Sequence, residues 1–352
     1  MKDISQRKAD HLDLAESGDV GFKKVTTLFE CVRLVHDALP ELAWDAVDPS
    51  VELLGKRLRA PILIAAMTGG HERAERINHE LASIAEERGL AFGLGSQRAM
   101  HKNRAAQRSY AVRSVAPSAL VLGNLGIVQA AAMSTAETQD LLAAIGADAL
   151  CVHLNPAMEL VQDEGDRDFR GGEATLARLV AELKLPVIAK ETGCGLSSNV
   201  AARLRAAGVR HVDVSGAGGT SWVAVETHRA SQAQRGIGET FWEWGIPTAA
   251  SITQVAPHGF DTIFATGGVK TGLDIAKAIV LGAHAGGIAR PVLQALESGG
   301  REGALALLTR VEKELRTAML LTGAGNVAAL ARVPRLLVGV LAHWAAPARS
   351  DA

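Results

Sequence analysis

The chain has 352 residues, 48% of them hydrophobic, which is enough for one large core and suits a single α/β barrel with extensions. A formal net charge of -1 removes any bulk electrostatic case for nucleic acid or an anionic membrane surface as partner. Three cysteines, Cys31, Cys151 and Cys194, are odd in number and follow no metal-ligand spacing, so they read as reduced thiols rather than a disulfide framework.

Residues 1–60 are expected to form an arm or cap, with a basic pair at Arg7-Lys8 and apolar anchors at Phe22, Phe29 and Trp44. The opening MKDISQRKADHLDLA has no apolar signal-like run, and no uncharged apolar stretch reaches the length of a membrane span, so a cytoplasmic location is expected. Eight short apolar segments follow, each ending in a polar or glycine-rich tag: PILIAAMTGG, AFGLGSQR, LVLGNLG, LCVHLNP, PVIAKETG, HVDVSGAGG, TIFATGG and AGGIAR. Continuous apolar runs mark strands buried on both faces, as parallel sheets require. Helical patterns at Arg73–Arg88, Thr135–Ile145, Glu173–Leu183, Ser197–Ala207 and Thr271–Leu281 lie between them, each stopping near Gly or Pro. Alternating strands and helices predict a (β/α)8 TIM barrel over residues 61–325, whose tags converge at the C-terminal ends of the strands. Between Gly216 and Pro247 an insertion after the sixth strand carries Trp222, Trp242 and Trp244 and reads as a lid. Residues 326–352 form a C-terminal extension, in which apolar Leu336–Trp344 is expected to dock on the barrel or on another subunit.

The tags carry the chemistry. Thr266-Gly267-Gly268 joins the seventh strand to a helix and Ala289-Arg290 follows the eighth, the places where barrels bind phosphate with backbone N–H groups. Lys190 ends the fifth strand, where it could stabilise an anionic ring, form a Schiff base, or reach solvent. His153 and Asn155 sit at alternate positions after the fourth strand and can face one side, while Glu159 is an oxygen ligand for a hard cation or simply a solvated carboxylate. Ser96, Gln97 and Arg98 end the second strand and Asn124 the third; the Arg98 fork suits phosphate or carboxylate, and Arg7 and Lys8 would add charge if the arm covers the mouth. The chain thus presents two phosphate-type demands, one glycine-rich and one basic, which a phosphorylated cofactor plus a phosphorylated substrate would satisfy.

With RKADHLDL, AAMTGG, GLGSQRA, GNLG, HLNPAME, EGDRDF, KETGCG, GAGGTSW, GIPTAAS, ATGGVKTGLDIAKAI and GIAR in place, the chain resembles the type 2, FMN-dependent isopentenyl-diphosphate isomerases from Arg7 to about Gly325. The resemblance implies FMN contacts at Met67, Thr68, Gly69, Ser96, Asn124, Lys190, Ser215, Thr220, Gly267, Gly268, Ala289 and Arg290. It implies substrate and diphosphate contacts at Arg7, Lys8, His11, Ser96, Gln97, Arg98, His153 and Asn155, and Mg2+ at Glu159. Reduced FMN, commonly supplied with electrons by NADPH, and a homo-tetramer or homo-octamer are implied with it. The implied reaction is reversible 1,3-allylic isomerisation of isopentenyl diphosphate to dimethylallyl diphosphate, with Lys190, His153, Asn155 and Met158 at the reacting centre. Met158 departs from the family, which has glutamine there; Thr192 and Ser215 stand at positions that are often Val and Gly. Three other readings stay open: another reaction on a prenyl diphosphate such as proton-initiated cyclisation, FMN-dependent oxidation of a 2-hydroxy acid, and a flavin-binding protein without catalysis.

Overall fold

A computed structural model describes residues 10–14, 16 and 18–345. Eight parallel strands close a barrel in it: β1 (Ile62–Ile64), β2 (Ala91–Gly93), β3 (Leu120–Gly126), β4 (Ala149–Leu154), β5 (Val187–Glu191), β6 (His211–Asp213), β7 (Thr262–Ala265) and β8 (Ala285–Ile288). Seven fall within one of the eight apolar segments, and β4 begins one residue before LCVHLNP. Alternation along a strand separates two cores. Ile62 and Ile64 of β1 face the helical layer, whereas Leu63 joins Leu122, Cys151, Ile188 and Phe264 inside the barrel. Leu53 and Leu58, from a hairpin pairing Val51–Leu53 with Lys56–Leu58, complete that inner core.

Helices cover the outside as the amphipathic patterns require. Helix α1 (Glu72–Arg88) buries Ala74, Ile77, Leu81, Ile84 and Ala85 at three- and four-residue spacing, and Gly89 in the left-handed region ends it. The other expected helices appear within a residue or two of their sequence bounds: Thr135–Ala143, Gly172–Glu182, Ser198–Ala206 and Gly272–Leu281.

The insertion after β6 is more ordered than a loop. It folds into α2 (Trp222–Arg229) and α3 (Gln232–Phe241). Gly236 and Gly238 hide α3 from propensity, yet Gly238 is where the two helices touch, since a Cβ there would stand 2.0 Å from Thr227 Oγ1. Val20 and Gly21 lie against this lid. Thr220 bridges to Gly21, Ser221 N–H donates to Val20 O at 2.8 Å, and Trp242 Nε1–H donates to Gly21 O at 3.0 Å. At the C-terminal end Arg335–Leu337 pairs antiparallel with Val32–Leu34 and a last helix spans Val340–Ala345, burying Leu341. No helix among the described residues is long and apolar enough to cross a membrane.

Candidate active site

The strand ends meet in a cavity of about 510 Å3 at the C-terminal mouth of the barrel, within the size range of cofactor and small-molecule sites. Strand register sets its floor. His153 of β4 is opposite Lys190 of β5, and Lys190 is opposite Asp213 of β6. Lys190 Nζ pairs with Asp213 Oδ2 at 2.6 Å and donates to Thr266 Oγ1 at 3.1 Å, while Thr266 Oγ1–H donates to Asp213 Oδ1 at 2.7 Å. A lysine so held is positioned in an ion pair at the floor of the cavity rather than reaching out to solvent.

His153 and Asn124 are joined in the same layer. His153 Nδ1 bonds Asn124 Oδ1 at 2.7 Å, and with that amide oxygen as acceptor the proton sits on Nδ1, the tautomer in which Nε2 is the accepting nitrogen. On the helix Pro156–Val161, Asn155 Nδ2–H donates to Glu159 Oε1 at 2.8 Å and contacts Met158 Sδ at 3.8 Å. Glu159 is buried, and its Oε2 accepts from Asp166 N–H at 2.9 Å.

Of the positions expected at the site, Met67, Ser96, Arg98, Asn124, His153, Asn155, Met158, Glu159, Lys190, Ser215, Thr220, Gly267, Gly268, Ala289, Arg290 and His11 line this one cavity. Thr68, Gly69 and Gln97 do not. Thr68 Oγ1 bonds His71 Nε2 at 3.2 Å, and Gly69 packs so close to Tyr110 that a Cβ would stand 2.1 Å from its ring. The structure turns Gln97 away from the cavity: its side chain is buried, Oε1 accepts from Asn124 N–H at 3.0 Å and Nε2–H donates to Leu141 O at 3.3 Å. Arg7 and Lys8 lie outside the described residues. His11 reaches the mouth through the lid, where its Nε2 bonds Glu226 Oε1 at 2.7 Å and its ring meets Trp222 edge-on. Buried Glu226 also pairs with Arg229 at 2.7 Å, which fixes it beneath His11.

Sequence reasoning missed Asp213, Gln129 and Glu226 as site residues; of these only Asp213 stood in one of the eight segments, and its place at a strand end was the available signal. Burial pushes the Cys151 thiol up to about 12 and raises that of Cys194 as well.

The glycine side of the cavity tests the fit of a flavin. Ideal Cβ atoms at Gly219 and Gly267 would stand 2.4 Å from Gly268 N and 2.1 Å from Gly216 O, so the loops after β6 and β7 touch backbone to backbone. That cradle, with a helix starting at Arg290 beside it, suits an anionic, flat-ringed cofactor. Ser215 takes a left-handed φ of 36° there, a conformation that glycine adopts more readily. Gly219→Ala is expected to abolish retention of FMN while leaving a folded barrel; a variant that purifies with undiminished flavin absorbance would refute the cradle.

A single buried carboxylate also fits Mg2+ by donor chemistry, because that ion keeps waters and substrate phosphates among its ligands. Among the described residues no cluster of three or more His, Cys, Asp or Glu is arranged as a metal cage.

Barrel, glycine cradle and lysine floor together define a flavin-type (β/α)8 enzyme, and residues 152–335 match the family model described as FMN-dependent dehydrogenase. Solved structures share the fold at low identity: a mandelate oxidase variant carrying a monooxide FMN adduct (TM-score 0.65, 19% identical, covering 93% of this chain and 95% of that one) and a putative lactate oxidase of Pediococcus acidilactici (TM-score 0.67, 15%, covering 95% and 93%). Similarity is far higher to proteins named isopentenyl-diphosphate delta-isomerase. That of Halobacterium salinarum is 46% identical over 95% of this chain and 93% of its own, and that of Methanothermobacter thermautotrophicus 44% over 97% and 95%. The chain belongs to the isopentenyl-diphosphate delta-isomerase family.

Proposed function

We propose that this protein interconverts isopentenyl diphosphate and dimethylallyl diphosphate, using reduced FMN and Mg2+. The observation that carries the reading is one cavity with a glycine cradle on one side and Arg98, His153, Asn155 and Glu159 on the other. The reaction adds a proton at C4 and removes one at C2, so it has no net redox change. Bound reduced FMN supplies an electron-rich ring that stabilises positive charge developing at C3.

The chain's own residues hold the reactants. Lys190, fixed by Asp213 and Thr266, places positive charge where an anionic flavin ring would lie. Gly219, Gly267 and Gly268 keep that side free of side chains. Arg98 would bind the diphosphate as a charged fork, Glu159 would hold Mg2+, which would supply positive charge for the diphosphate, and His153, oriented by Asn124, presents Nε2 as an acceptor. His11 and Trp222 close the mouth and exclude water. Arg7 and Lys8 add charge to the diphosphate site, as the family resemblance supports. The same resemblance supports NADPH as reductant and a cytoplasmic homo-tetramer or homo-octamer.

Reduced, FMN-loaded enzyme with Mg2+ should convert isopentenyl diphosphate to dimethylallyl diphosphate, and no product under these conditions would overturn the reading. Glu159→Gln should lower that turnover by about a hundredfold, roughly 2.7 kcal/mol of transition-state stabilisation, and full activity in excess chelator would remove the metal role. Met158 puts a weak sulfur acceptor at the reacting centre, so it moves no proton. The parent therefore isomerises without a side-chain amide there, and Met158→Gln should change the rate less than about tenfold, under 1.4 kcal/mol. A larger gain would mean that Met158 limits the reaction.

A further inference from the structure

The segment EGDRDF has no role in the chemistry above, yet its residue Asp166 joins the two halves of the diphosphate site. Asp166 N–H donates to Glu159 Oε2 at 2.9 Å. Its Oδ2 accepts from Gln129 Nε2–H at 2.8 Å and stands 3.7 Å from Arg98 Nη1, an ion pair longer than a hydrogen bond. Arg167 ties the same segment down, donating to Glu159 O and, at 2.8 Å, to Gln162 O. Gly165 lets it close onto the Pro156–Val161 helix, since a Cβ there would stand 2.0 Å from Glu159 O.

We propose that Asp166 is a positioning residue that makes this site select a magnesium–diphosphate complex over free diphosphate. The inference rests on the isomerase reading for the metal and the anion. Its basis is charge and placement. Asp166 is only 24% exposed and Arg98 only 23%, so their charges are weakly screened. The groups facing Asp166 are Arg98, Gln129 and Glu159, with the Arg167 guanidinium turned to two carbonyl oxygens. A carboxylate behind Arg98 offsets part of the attraction that Arg98 has for a bare anion. Beside Glu159 it adds to the field that favours a divalent cation. Both effects vanish when the charge is removed, and they move the two affinities in opposite directions. Loss of a merely structural contact would move both the same way.

The test measures binding of inorganic diphosphate to FMN-loaded protein by calorimetry, with excess Mg2+ and with excess chelator. For the parent, Mg2+ should tighten binding. Asp166→Asn, which can still accept from Gln129, should bind metal-free diphosphate more tightly than the parent and the magnesium complex more weakly. The ratio of the two dissociation constants should shrink by about tenfold. Gln129→Leu, which releases the Asp166 side chain, should shrink the ratio in the same sense, and it carries the test alone if Asp166→Asn does not fold. An unchanged ratio, or parallel loss of both affinities, overturns the proposal while leaving the isomerase reading intact. A parent that binds diphosphate without any Mg2+ effect overturns the metal assignment and this inference together. A parent that binds no diphosphate at all overturns the proposed function itself.

Discussion

Asp213→Ala should lower the unfolding free energy by about 3–5 kcal/mol, because it leaves the Lys190 ammonium uncompensated in the barrel. The pair is nearly dry: the side chain of Lys190 is 11% exposed and that of Asp213 3%. Asp213 also accepts from Thr266 Oγ1 and from Ser215 N–H at 3.2 Å, so its loss frees two further donors. Asp213→Asn keeps an oxygen for those two donors and isolates the missing charge. The double change of Lys190→Met with Asp213→Leu should recover most of the stability, since apolar side chains can replace a buried pair without loss. It should not recover turnover, because the positive charge at the floor of the cavity is gone. Urea unfolding and product formation, measured on all four proteins, separate the two effects. An Asp213→Ala midpoint equal to the parent's would show that the pair contributes nothing to the fold.

Glu191 should make the protein less stable as pH rises through the weakly acidic range. This carboxyl is buried at the end of β5, and one oxygen, Oε2, accepts from the N–H groups of Thr192, Gly193, Cys194 and Gly195, with Thr192 at 2.6 Å and Gly193 at 2.7 Å. Burial pushes the carboxyl from 4.5 up to about 7, and the amides of Cys194, Gly193 and Thr192, with the Lys190 charge, oppose that shift without cancelling it. A raised acid pKa means the folded state holds the proton more tightly than the unfolded chain. Stability is therefore full below about pH 4.5, falls by roughly 3 kcal/mol as pH rises to about 7, and is level above. Glu191→Gln keeps an oxygen facing the four amides and carries no charge, so it should remove this fall. Glu191→Ala strands the amides and should cost roughly 3–5 kcal/mol below about pH 5, and less at higher pH where the parent has lost part of its own stability. Urea midpoints of parent and Gln variant at about pH 5 and about pH 8 give the check. Identical pH slopes in the two proteins would refute the raised pKa. The consequence reaches the site, because Thr192 and Gly193 line the cavity on this turn.

Most of the cavity was legible because a parallel barrel collects its strand ends at one face. A polar tag after an apolar run identifies a mouth position whatever the distance along the chain, which is how Met67 and Arg290 come to line one cavity. Partners of the tags were harder to read. Gln97 stands between Ser96 and Arg98 in the same tag, yet the backbone turns into a helix at Arg98 and points the Gln97 side chain into the core. Asp213 ends a strand like Lys190 does, but only the register that sets Lys190 opposite Asp213 joins them. Glu226 sits in an insertion whose helices the glycines of α3 conceal.

By itself the sequence determined the barrel, through eight runs too apolar to be exposed on either face, and the glycine side of the cavity, through glycines at backbone contacts that no side chain could occupy. Local pattern suffices for both, because burial and backbone conformation act on residues close together in the chain. What only the tertiary structure decided is the electrostatics: Lys190 paired with Asp213, His11 with Glu226, and Glu159 joined to Arg98 through Asp166. Those pairs span separations from a few residues to 215, and their charges interact through space, so strand register and the docking of arm and lid select among partners that the sequence lists as equals.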